Sequence, residues 1–130
     1  MGNHSVDIKY EECKHPALIE KIITIFHRVY SNLGYGFHEK VYKDAIMIEL
    51  KHAGIHSISH SGIRIFYQGK IIDEHYADIL VDNKVIVKIT AARDLGEDDK
   101  DQMIHCVKVT DFKVGILFNF GTKPDVELIY

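Results

Sequence analysis

The sequence predicts an α/β (α+β) domain in which one mixed sheet is flanked by helices. Apolar residues recur at helical spacing between Pro16 and Ala53, whereas residues 63–90 show the alternation and short apolar runs of strands. A further helical segment and two more strand-like segments follow, up to Tyr130. A chain of 130 residues is long enough to bury one core. We therefore expect a single domain over residues 1–130, with a polar N-terminal segment over residues 1–14.

Two helices open the predicted domain. The first is expected to begin at Pro16, which needs no backbone N–H in a first turn, and to end at Gly34, which suits a left-handed cap. The second is expected over residues 38–53, where Gly54 marks its end. The predicted buried faces comprise Leu18, Ile19, Ile22, Ile23, Phe26, Val29, Tyr30 and Leu33 in the first helix, and Val41, Tyr42, Ala45, Ile46 and Leu50 in the second.

The middle of the chain predicts two strand pairs. Residues 63–67 and a strand from residue 71 onward form a hairpin around Gln68-Gly69-Lys70, and residues 76–81 and 85–90 pair around Asp82-Asn83-Lys84. Val85-Ile86-Val87 is apolar enough for a strand buried on both faces, so it is expected at the centre of the sheet. A third helix over residues 102–110, with Met103, Ile104 and Val107 inward, precedes strands at 114–120 and 126–130.

Composition and charge narrow the classes of function. The apolar fraction of 46% contains no run long enough to cross a membrane, and the first residues do not resemble an export signal, which predicts a cytoplasmic protein. Two cysteines form neither a disulfide framework nor a metal motif. A formal net charge of −3 gives no overall attraction to nucleic acid, although a local basic patch remains possible.

A sequence motif at the start of the second helix identifies a family resemblance. The segment Gly36-Phe37-His38-Glu39-Lys40-Val41-Tyr42 reads G-x-x-E-x-x-Y, and it is followed in order by Tyr76-Ala77-Asp78-Ile79-Leu80-Val81 and by Gly115-Ile116-Leu117-Phe118-Asn119-Phe120-Gly121. This order resembles the GxxExxY family, a branch of the PD-(D/E)XK nuclease-like superfamily. The resemblance implies a restriction-endonuclease-like fold with a mixed sheet flanked by helices.

The resemblance also implies a set of site residues. In the family, the carboxylates of a helix acid, a strand Asp and the Glu of a Glu-x-Lys hold Mg²⁺ or Mn²⁺, which polarises a phosphodiester and activates water. The lysine orients the water or stabilises developing charge, and a Gln often follows. Glu39, Asp78 and Gln102 match three of these positions. The Glu-x-Lys position reads Lys88-Ile89-Thr90, so Lys88 and Thr90 replace both of its catalytic residues.

The replacement inverts the charge at the implied metal site. We expect Lys88 to take the place of the cation in a salt bridge with Asp78 and Glu39, because opposite charges about 4 Å apart attract by roughly 4 kcal/mol at an effective dielectric near 20. No cofactor is then expected. The leading hypothesis is a catalytically degenerate nuclease fold that acts as a structural or interaction module and self-associates as a homo-oligomer.

Three alternatives remain open. In the first, the chain is an Mg- or Mn-dependent nuclease whose rearranged site uses Glu39 and Asp78 as metal ligands and Lys88 as the catalytic lysine. The second is a nucleic-acid-binding domain that does not cleave, with a surface comprising Arg64, Lys70, Lys84 and nearby tyrosines. The third is a transition-metal site among His52, His56 and His60 with His38 or His75, although their spacing matches no standard zinc pattern and favours solvated histidines.

Overall fold

The computed structural model describes residues 13–130, within which three helices and five strands form an α/β/α sandwich. The predicted polar segment over residues 1–14 lies outside the described residues, apart from Cys13 and Lys14. None of the helices in residues 13–130 has the length and apolar content needed to span a membrane. The elements are α1 (Pro16–Leu33), α2 (Glu39–His52), β1 (Ser57–Tyr67), β2 (Lys70–Val81), β3 (Val85–Thr90), α3 (Glu97–Val109), β4 (Val114–Phe120) and β5 (Pro124–Ile129).

The strands form one mixed sheet in the order β1-β2-β3-β4-β5. Neighbouring strands are antiparallel, except that β3 and β4 are parallel and are joined by α3. A parallel pair needs such a crossover connection, because a short turn cannot bring the chain back to the same end of the sheet. The prediction of a mixed sheet flanked by helices, with Val85-Ile86-Val87 in its central strand, is confirmed.

The apolar side chains pack on both faces of this sheet. Helices α1 and α2 cover one face, where Phe26 stacks on Phe118 with ring centroids 4.3 Å apart and Tyr42 stacks on Phe120 at 3.9 Å. Helix α3 covers the other face through Met103, Cys106 and Val107, which pack against Ile63, Ala77, Leu80, Ile86 and Leu117. The central strands are buried because a layer of helices lies on either side.

Most predicted elements are confirmed, and the differences lie mainly at their ends. Strand β1 begins at Ser57, well before residue 63, and β2 is one continuous strand that includes the segment predicted separately at 76–81. Helix α3 begins at Glu97, so its first turn contains Glu97, Asp98 and Asp99. The helix dipole stabilises their negative charges there. Three side chains predicted to face inward, Leu33, Val41 and Ile104, are exposed.

Candidate functional site

Asp78 lies where strands β2 and β3 separate. The register pairs Val81 with Val85 and ends at Ile79 with Val87, so in the described chain Asp78 and Lys88 are not ladder partners. Asp78 Oδ2 instead accepts a hydrogen bond from the backbone N–H of Ile89 over 2.6 Å. The carboxylate therefore accepts from a backbone N–H at the point where the strand ladder stops. Without it, that N–H would lack a hydrogen-bond partner.

Lys88 does not form the predicted salt bridge with Asp78 and Glu39. The ion pairs found within residues 13–130 do not include Lys88, and Asp78 is engaged by Ile89. Lys88 lines a cleft of about 30 Å³ on the α3 side of the sheet, together with Asp99 and Gln102. The prediction was wrong because β2 and β3 separate at this point, so residues that the sequence places opposite each other take different surroundings.

Gln102 forms a short polar chain at the entrance of the same cleft. Its Nε2 lies 3.0 Å from His75 Nδ1, and His75 Nε2 lies 3.3 Å from Asp73 Oδ2. If Gln102 donates, the imidazole accepts at Nδ1 and carries its proton on Nε2, facing Asp73. Gln102 and Lys88 thus share one cleft, as the resemblance implies for these two positions, but Gln102 hydrogen-bonds to a histidine.

Thr90 belongs to a buried network that we name the Thr90–Asn119 clamp, formed by Thr90, Asn119 and the backbone of Ala92. Thr90 Oγ1 donates to Asn119 Oδ1 over 2.8 Å, and the Asn119 amide accepts from Ala92 N–H and donates to Ala92 O, both over 3.0 Å. Asn119 is 1% exposed. The clamp fastens the segment that follows β3 to the end of β4, and it occupies the Thr90 hydroxyl.

Asn119 is a residue that the sequence analysis missed as part of the site. Its signal was present, because it is the single polar residue among Val114–Phe120, a strand buried along its whole length. A buried amide needs hydrogen-bond partners, which here are supplied by the neighbouring chain. Gly121 completes this region, since a Cβ at that position would lie 2.7 Å from Ala92 O.

The G-x-x-E-x-x-Y motif shapes the junction between α1 and α2. The hydroxyl of the fully buried Tyr42 donates to Gly34 O over 2.7 Å and accepts from the Phe37 N–H over 3.1 Å. Gly36 has a φ of 115°, a backbone conformation that favours glycine. Glu39 is exposed in the first turn of α2, where the helix dipole stabilises its negative charge. Gly36 and Tyr42 therefore have clear structural roles.

These residues do not make a donor set of the kind that Mg²⁺ or Mn²⁺ requires. Such ions take several hard oxygen ligands, usually carboxylates, and a nearby ammonium opposes their binding. Here one Asp78 oxygen already accepts from Ile89, and the neighbouring position in β3 carries an amine on Lys88. The described part of the chain also contains no group of three or more His, Cys, Asp or Glu side chains arranged for a metal ion, and this includes the histidines considered above.

Comparison with known proteins places the chain in a family. A family model described as the PD-(D/E)XK nuclease superfamily matches residues 16–129. Searches of curated proteins and of solved structures returned no match. The matched region runs from the first residue of α1 to the last residue of β5 and so includes the whole sheet and all of the site described above. The chain belongs to the PD-(D/E)XK nuclease superfamily.

Proposed function

We propose that this domain has lost metal-dependent cleavage of nucleic acid and serves as a structural or interaction module that self-associates. The observation that carries the proposal is Lys88, an amine at the position where the resemblance places a metal-binding carboxylate. Two further contacts support it, because Asp78 is hydrogen-bonded to Ile89 and the Thr90 hydroxyl is bound to Asn119.

The proposal has an electrostatic basis. Position 88 directly precedes Ile89, whose N–H binds Asp78, so a carboxylate there would add a negative charge to this region and attract a divalent cation, whereas Lys88 adds a positive charge that repels it. Thr90 cannot replace a catalytic lysine, because its hydroxyl carries no charge and is nearly enclosed within the clamp. In this account the metal lacks its carboxylate ligand at position 88, and the amine that would orient the water is absent at position 90.

The finer family assignment is part of the same proposal. We assign the chain to the GxxExxY branch, since Gly36, Glu39 and Tyr42 stand in the order of that motif, and to the cytoplasm. The hydrogen bonds of Tyr42 to the α1–α2 junction give the motif a structural purpose that does not depend on catalysis. A fold kept stable without its metal site is what an interaction module requires.

Nucleic-acid binding without cleavage receives less support from the surface charges. Arg64 lies 3.8 Å from Glu74 and Lys84 lies 3.2 Å from Asp82, so carboxylates neutralise two of the three cations expected to contact phosphates. Binding to phosphates gains free energy when Lys or Arg side chains displace the counterions of the nucleic acid, and side chains already paired with carboxylates are less available for this. The overall charge of −3 opposes such binding as well.

A cleavage assay tests the loss of activity. The native chain, Asp78→Asn and Lys88→Glu/Thr90→Lys are incubated with plasmid DNA, single-stranded DNA and RNA in Mg²⁺ or Mn²⁺. We expect the native chain and Asp78→Asn to give the same rate as a blank. Cleavage by the native chain that Asp78→Asn abolishes would overturn the proposal. Gain of cleavage by the double variant would trace the loss to positions 88 and 90.

A further inference from the structure

The β1–β2 hairpin extends beyond the part of the sheet that is supported by a third strand. Strand β2 pairs with β3 only at Ile79, Leu80 and Val81, whereas its pairing with β1 continues to the turn at Gln68-Gly69. Within residues 13–130, β1 is also an edge strand of the sheet. The far half of the hairpin is therefore a two-stranded ribbon, which is marginal by itself in water.

Large apolar side chains cluster on this ribbon and are exposed. The exposed fractions are 58% for Phe66, 53% for Ile71 and 64% for Ile72, and Tyr76 is exposed to a similar extent. Phe66 and Ile71 are ladder partners, and a register shift beside Phe66 leaves Ile72 unpaired as the extra residue of a bulge. We name Phe66, Ile71, Ile72 and Tyr76 the hairpin patch; Tyr67, the ladder partner of Lys70, lies on the opposite face of the ribbon.

The size of the hairpin patch fits a weak interface. At roughly 150–200 Å² for each side chain, the exposed fractions give roughly 400 Å² of surface, within the range of the largest patch that a monomeric protein usually exposes. Two such patches facing each other would bury roughly 800 Å², which is below the roughly 1,000 Å² of a stable specific interface and in the range of a transient one. A weak and reversible association fits this area.

The charges around the patch fit a second copy of this chain. Arg64 and Lys70 are balanced by Asp73 and Glu74 on the same hairpin, so two hairpins meet without net repulsion although the whole chain carries −3. A two-fold interface places the same patch on both partners. We propose that the hairpin patch is the surface through which two copies of this chain associate. This inference rests on the proposed function and assigns a surface to its self-association.

Sedimentation velocity between about 5 and 500 µM tests the assignment. We expect the native chain to shift with concentration from its 14.9 kDa monomer toward twice that mass. Ile71→Lys/Ile72→Lys places charges in the patch of both partners and is expected to weaken association about 100-fold or more. Ile48→Lys is the matched control, because Ile48 is 56% exposed but lies on α2. It is expected to associate like the native chain.

The remaining outcomes each overturn the inference. A native chain that stays monomeric over the whole range rules out this dimer, whereas the cleavage assay reports on the loss of activity separately. A dimer that survives Ile71→Lys/Ile72→Lys, or is lost equally in Ile48→Lys, shows that the surface lies elsewhere. Amide exchange on the native chain gives a readout that needs no variant: residues 66–76 should become protected with rising concentration, and unchanged exchange there would contradict the assignment.

Discussion

The Thr90–Asn119 clamp allows a quantitative test of how the end of the sheet is held. Asn119→Ala removes three hydrogen bonds: one from the Thr90 hydroxyl and two to the backbone of Ala92. Each contributes about 1 kcal/mol. The Thr90 hydroxyl keeps the Phe118 carbonyl as a second acceptor over 3.3 Å, whereas the two backbone groups of Ala92 are poorly placed to recover water because Asn119 is almost fully buried. We expect a loss of about 3 kcal/mol in the free energy of unfolding, or about 10 °C in Tm for a domain of this size.

Urea unfolding at neutral pH, followed by circular dichroism, measures this loss. Asn32→Ala is the matched control, because Asn32 is exposed on α1 and its replacement should change the free energy of unfolding by less than about 0.5 kcal/mol. A loss below about 1 kcal/mol for Asn119→Ala would refute the reasoning. It would mean that the segment after β3 finds other partners and that the clamp does not hold it.

Three further expectations concern buried groups elsewhere. Tyr42→Phe leaves two backbone groups of the α1–α2 junction without their partner and should lower the free energy of unfolding by about 2 kcal/mol in urea titrations, whereas Tyr35→Phe, at an exposed site, should change little. Gly121→Ala forces a Cβ against Ala92 O and should cost about 1–3 kcal/mol in the same measurement; an unchanged midpoint would show that the backbone yields easily. Burial lowers the pKa of His27, so on acidification the unfolded chain protonates this histidine before the folded chain does, and the free energy of unfolding should fall as pH drops below about 6.5. His27→Gln should lose less stability than the native chain between about pH 7.5 and 5. Parallel curves of stability against pH for the two proteins would argue against His27 as the cause.

The helical part of the fold could be predicted because its local signals agree with one another. Pro16 and Gly34 bound α1, and the apolar spacing between them identifies the face that is buried. The start of β1 could not be predicted in this way. Residues 57–61 are mostly small and polar, and they become a strand through pairing with β2, in which Ser57 lies opposite Val81. Strand structure of this kind depends on a partner distant in sequence.

The candidate site was predictable in its residues but not in its contacts. The resemblance identified Asp78, Lys88, Thr90 and Gln102, yet alternation along the strands placed Asp78 opposite Lys88 as a charge pair. A sequence does not show where two strands separate, and at that separation Asp78 accepts a hydrogen bond from the Ile89 N–H. Lys88 stays in the regular ladder with β4 and faces α3. Self-association and the absence of catalysis stay predictions until they are measured.

The most direct test of the central claim is a calorimetric titration of Mn²⁺ into the native chain and Lys88→Glu. Lys88→Met, which removes the charge without adding a carboxylate, is the matched control. We expect no binding heat for the native chain, and at least tenfold tighter binding of Mn²⁺ by Lys88→Glu than by Lys88→Met. Binding of Mn²⁺ by the native chain as tightly as by Lys88→Glu would contradict the account, because the amine at position 88 would then leave the metal site intact.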